Sequence, residues 1–162
     1  MSDIYTEQLL KKQSSGKDKE IQVLLVILTL GIVIMTLGNP VWLLGVFIMA
    51  AVDVWLFRSL DVEYEYLYIN GNLDIDKIMS KSRRKKAFEM EITDLEVMAP
   101  KGAAELRLYQ SLKARDYSSG SKDGRLYEMI VIKNGEKKRI IFEPNDVIVD
   151  GMSMMAPRKV HK

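Results

Sequence analysis

IQVLLVILTLGIVIMTL (Ile21–Leu37), GNP (Gly38–Pro40) and VWLLGVFIMAAVDVWLF (Val41–Phe57) follow one another without a break. Each apolar run is about 17 residues, the lower end of what crosses a hydrocarbon core, and as a helix covers about 25 Å. Neither run contains Lys or Arg, and Asp53 is the only ionisable residue in them. Pro40 cannot donate a helical hydrogen bond and disfavours helix at Asn39, so the two runs are separate helices joined by a tight turn. Many residues here are β-branched, but backbone satisfaction in lipid favours helices over strands. A buried hairpin inside a soluble helical protein is the alternative, and it conflicts with the lack of any polar face. A cleaved signal peptide has an apolar core of roughly 7–15 residues, far shorter than this block.

Working outward, positive charge gathers on both flanks. Lys11, Lys12, Lys17 and Lys19 precede the block; Arg58 follows it, and Lys77, Lys81, Arg83, Arg84, Lys85 and Lys86 come later. The turn carries no charge, so both termini are expected in the cytoplasm, with Gly38–Pro40 at the outer face of a cell (plasma) membrane crossed twice. Trp42 and Trp55 suit opposite interfaces. The chain of 162 residues carries 24 basic and 22 acidic groups, a formal net charge of +2 that lacks the basic excess expected of a nucleic-acid binder. It contains no Cys, hence no disulfide framework.

Residues 1–20 read as a polar arm, with Asp3 positioned to cap a brief helix carrying Ile4, Leu9 and Leu10 before Gln13–Gly16 breaks it. Residues 61–162 are enough for one domain. Val62–Ile69 alternates and ends in Asn70-Gly71, a hairpin turn; Leu73 to about Met79 continues the alternation. Ser80–Lys86 reads as a basic turn, Phe88, Met90 and Ile92 as one face of a third strand, and Leu95–Ala99 as a fourth. Ala103–Lys113 has helical composition, and Asp116–Gly124 reads as a mobile Ser/Gly loop. Leu126–Lys133 and Lys137–Phe142 form a second hairpin about Asn134-Gly135. Pro144 opens a last helix with Val147, Ile148, Gly151, Met152 and Met155 on one face, and Pro157 stops it.

This order predicts an α+β membrane protein: a helical hairpin (21–57, helices 21–37 and 41–57), then a small β-barrel or bent sheet with a C-terminal helix. From about Ile21 onward it resembles the pleckstrin-homology-like (PH-like) domains that bacteria attach to short membrane hairpins. More closely, it is similar to a family of uncharacterised small two-span membrane proteins from Gram-positive anaerobes. The likeness lies in Val62-Glu63-Tyr64-Glu65-Tyr66, Asn70-Gly71, Leu73–Ile78, Ser82-Arg83-Arg84-Lys85 and Ala156–Val160. The resemblance implies architecture and supplies no catalytic residue or ligand.

Two features point toward function. Lys81, Arg83, Arg84, Lys85 and Lys86 could capture a lipid headgroup or phosphate, or form a solvated turn that helps fix topology. Asp53, a carboxylate inside an apolar run, is a functional suspect by default; snorkelling to the interface, or pairing with Arg58 about one turn away, is the plainer account. Tyr64, Tyr66 and Tyr68 share a strand face and read as core, and the Met-rich positions as irregular core filling. His161 is the only histidine, there is no phosphate-binding glycine loop, and Asp74 and Asp76 lack a third ligand, so neither enzyme, cofactor nor metal is expected. The expectation is a non-catalytic, membrane-anchored interaction or scaffold module. Its partners are membrane lipids and a protein partner or a second copy of itself; a sensor of anionic lipid or small ligands is the alternative.

Overall fold

The computed structural model describes residues 4–162. Strand β1 (Tyr5–Lys11) leads into helix α1 (Gly16–Thr36), a 3₁₀ turn (Pro40–Trp42) and helix α2 (Leu43–Leu60). Strands β2 (Val62–Ile69), β3 (Asn72–Met79), β4 (Arg83–Glu91) and β5 (Leu95–Pro100) follow, then β6 (Ala114–Asp116), β7 (Tyr127–Lys133), β8 (Glu136–Phe142) and helix α3 (Asp146–Met155). The two apolar runs are the two long helices, each extended at one end into flanking polar residues. Ser15 caps α1 in a capping box with Asp18, and Asn39 caps the turn before α2. No residue of either helix is buried, because the hairpin touches little besides itself.

The strands form two four-stranded sheets, ordered β1-β2-β3-β4 and β5-β7-β8-β6. They face each other across a common core and do not close into a barrel. The helix expected near Leu9 and Leu10 is a strand, paired antiparallel with β2 from Tyr5 opposite Ile69 to Lys11 opposite Glu63. Asp3 lies outside the described residues. A ladder to a strand on the far side of the hairpin overrides the local preference, and Ile4 and Leu10 pack on the core. The helical hairpin is thus an insertion between two neighbouring strands of one sheet.

Alternation fills the core as the sequence implies. Tyr64, Tyr66 and Tyr68 of β2 are buried, as are Leu73 and Ile75 of β3, Met129 and Val131 of β7, and Phe142 of β8. Asn70-Gly71 and Asn134-Gly135 both turn with positive φ at Asn and Gly (45° and 91°, 54° and 79°), the paired left-handed geometry of a two-residue hairpin. Three further expectations about local structure fail. The basic segment Ser80–Lys86 is a turn only to Ser82; Arg83 onward is strand. Ala103–Lys113 forms only a short 3₁₀ helix (Ala104–Tyr109), docked by Leu106 against Val97, Ala99 and Ile130 on the outer side of the second sheet, with Leu108 87% exposed. On α3, Asn145 rather than Pro144 begins the helix, and its buried residues are Ile148, Val149, Gly151 and Met152, with both Val147 and Met155 exposed.

Candidate functional site

The domain end from which the hairpin departs gathers most of the singled-out residues. β1 hands over to α1 through four residues, Lys12 to Ser15, and α2 to β2 through Asp61 alone. The Lys12 amide donates to the Val62 carbonyl at 3.0 Å, closing the ladder at the base of the helices. Lys11 pairs with Asp61 at 3.4 Å. The β3–β4 turn reaches the same place: the Ser80 amide donates to the Asp61 carbonyl (2.9 Å), and its hydroxyl to the Arg58 carbonyl at the end of α2 (2.6 Å). Ser80 and Lys81 hold φ of 52° and 54°, a left-handed conformation costing roughly 1–2 kcal/mol per side-chain-bearing residue, and the bonds from Ser80 hold the turn in place.

Strand alternation divides the five basic residues. Arg84 pairs with Glu65 and, at 3.8 Å, with Asp76; Lys86 pairs with Asp74 (3.3 Å) and Glu89 (2.9 Å). Lys133 joins Glu89 at 3.0 Å. Hydrogen bonds from Lys86 and then Lys133 hold the Glu89 carboxyl down at about 2, while Lys86, bonded to Glu89 and Asp74, is raised. Lys81, Arg83 and Lys85 are exposed and make no ion pair among the described residues. Asp74 and Asp76, which lack a third ligand for a metal among the described residues, are the counter-ions here.

A further contact was not legible in the sequence. The Asp116–Gly124 loop, expected to be mobile, is tied down. Ser119 donates from its hydroxyl (2.6 Å) and its amide (3.1 Å) to Glu143, while its carbonyl accepts from the Gln13 amide at 2.7 Å. Ser118 bonds Asp116, and both serines are buried. Tyr66 extends the tie, donating to the Tyr117 carbonyl (2.7 Å) and accepting from the Glu143 amide (3.2 Å); burial pushes its phenol well above the ordinary range. The link between β1 and α1 is therefore bonded to the second sheet through this loop.

Within the hairpin, Asp53 does not pair with Arg58. Its carboxylate meets the Thr29 hydroxyl of α1 at 2.8 Å, and that hydroxyl also lies 3.0 Å from the Leu25 carbonyl. Thr29 has one hydrogen to give, so the two acceptors compete for it. The other Asp53 oxygen is buried without a partner. A polar residue at mid-run was the only hint of this bond in the sequence. Gly45 brings the helices close, with Ile32 3.4 Å from the position a Cβ would take.

Among the described residues no three His, Asp or Glu side chains converge as a metal site. Both long helices are long and apolar enough to cross a membrane. Residues 2–162 match the family model for a bacterial PH-like domain (DUF6106), and the chain belongs to that family. No curated protein and no solved structure matches it.

Proposed function

We propose that this member of the bacterial PH-like family is a non-catalytic interaction module held at the inner leaflet. The hairpin 21–57 spans the cell membrane twice with both termini cytoplasmic, and the domain receives a protein partner or a second copy of the chain. The carrying observation is the double attachment: α1 and α2 join adjacent strands of one sheet through four residues and one. Links that short leave little freedom to swing, so a spanning hairpin would hold the domain against the bilayer with a defined face outward. Lys11, Lys12, Lys17, Lys19 and Arg58, all at this end, suit the anionic leaflet.

A second reading, lipid-headgroup sensing, is favoured by one observation. The β3–β4 turn is bonded to the end of α2, which would put Lys81, Arg83 and Lys85 at the headgroup level. Crosslinking in native membranes, followed by mass spectrometry of what co-purifies, tests both. One dominant protein partner crosslinked through the domain supports the interaction module. Self-crosslinks confined to the hairpin, with co-purifying anionic lipid that R83E/K85E abolishes, would replace it with the sensor.

A further inference from the structure

The second sheet carries a basic cleft whose chemistry differs from that of the β3–β4 turn. β6 is an edge strand running parallel to β8, with Ala114 opposite Arg139 and Arg115 opposite Ile140. That register brings Lys113 and Arg115 beside Glu136, Lys137 and Lys138, which open β8 after the Asn134-Gly135 turn. Together with Leu112 and Arg139 they line a cleft of about 330 Å³, near the lower end of the range for small-molecule sites.

Arg139 is already committed. Its guanidinium donates to the buried Glu128 carboxylate at 2.8 Å and to Gln110 through its two other nitrogens at 3.1 and 2.9 Å. It forms part of the wall and ties the segment before β6 to β8. The other four cations have no counter-ion: Lys113, Arg115, Lys137 and Lys138 make no ion pair among the described residues, nor does Glu136. Lys137 rests over the Tyr109 ring, 5.3 Å from its centroid, a contact that leaves its charge uncompensated. Unpaired cations also occur at Lys81, Arg83 and Lys85 of the β3–β4 turn and β4, whereas Lys11, Arg84, Lys86, Arg125, Lys133 and Lys162 each have a carboxylate partner; the cleft differs in gathering four of them around one concave surface.

Four cations against one carboxylate, 4 − 1, leave the lining at +3 once Arg139 and Glu128 cancel. One phosphate, at roughly −1.5 to −2, neutralises about half of that, and two adjacent phosphates match it. We propose that this cleft binds a phosphorylated ligand carrying two adjacent phosphate groups. Arg115 supplies the planar fork for bidentate contact, and the lysines act as point charges around it.

The test uses the full chain in nanodiscs of neutral lipid, titrated with inorganic pyrophosphate by calorimetry. Saturable binding is expected, weakened at least roughly tenfold by R115Q/K138Q and changed by less than about twofold in R84Q/K86Q, whose cations are already paired. Thermal midpoints without ligand check that each variant folds, and K113Q/K137Q provides a second pair should the first fail to fold. Absence of saturable binding, or equal weakening in cleft and control pairs, overturns the site. Adding a bisphosphorylated phosphoinositide to the nanodisc separates two sources of the same chemistry. A weakened affinity for pyrophosphate assigns the cleft to a lipid headgroup, and an unchanged one to a soluble ligand.

Discussion

The hairpin and the domain solve the burial problem in opposite ways. In the domain, apolar side chains alternate with polar ones, and the apolar set is sealed between two sheets and α3: Tyr66, Tyr68, Leu73, Ile75 and Phe142 are fully buried. In α1 and α2 the apolar residues go all the way round and none is buried by protein. The difference teaches that the domain carries its own apolar solvent, whereas the apolar surface of the hairpin is left uncovered by the protein itself. It also fixes where single residues matter. Identity at a domain position is set by shape, whereas most hairpin positions need only be apolar.

The sharpest break of this contrast is truncation to alanine in each region. Phe142→Ala, which removes a buried ring beside Tyr66 (centroids 6.0 Å apart), is expected to cost about 3–5 kcal/mol. Leu28→Ala, on an outer hairpin face, should leave the unfolding of the domain unchanged. Chemical denaturation of the full chain in detergent, followed by near-ultraviolet circular dichroism of the domain, measures both. Equal losses would erase the distinction.

Glycines sharpen it next. A Cβ on Gly151 would sit 2.6 Å from Tyr68 Cε1, a ring with no room to retreat. Gly151→Ala should therefore lose about 1–3 kcal/mol to overpacking, more than the ~1 kcal/mol it gains in helix propensity. Nothing lies within 4 Å of the Gly31 Cβ position, so Gly31→Ala should be neutral or slightly stabilising in the same assay.

Thr29→Val tests the one polar tie inside the hairpin. Interhelical hydrogen bonds in membranes average about 0.6 kcal/mol, so a loss of that order in a steric-trap measurement of the reconstituted hairpin is expected. A loss of several kcal/mol would mean that Asp53 organises the hairpin far more than one bond can.

The smallest effect is electrostatic. Glu89 titrates near 2 when folded, below its ordinary carboxyl value, so its contribution is present above about pH 4.5 and fades as pH falls toward 2. Wild type should lose slightly more stability than Glu89→Gln over that window in an acid titration. Parallel acid profiles would show that the ion pairs with Lys86 and Lys133 contribute nothing, a common fate of exposed pairs.

What could be read in advance follows the range of the interactions. Both Asn-Gly turns, the alternating strands and the two long helices depend on neighbours within a few residues, and all were legible. β1 was not, because Tyr5–Lys11 becomes a strand only through a ladder to Val62–Ile69 across the hairpin. The five basic residues were visible as a cluster, but their division into paired and open cations depends on strand register with Glu65, Asp74 and Asp76. The Ser119–Glu143 tie and the cleft behind β6 escaped for the same reason: each joins segments whose proximity only the fold creates. Their sequence traces, a Ser/Gly loop and scattered lysines, look like ordinary surface.

Placing the hairpin between β1 and β2 has a consequence for biosynthesis. A ribosome delivers β1 first, and that strand has no partner until both helices have been made and β2 has followed. A hairpin that fails to fold back on itself leaves Lys11 far from Glu63, and the sheet lacks its first strand. Completion of the sheet therefore records that the hairpin has closed. A hairpin that failed to close would be displayed at once as an unpaired strand edge, where chaperones and proteases can find it.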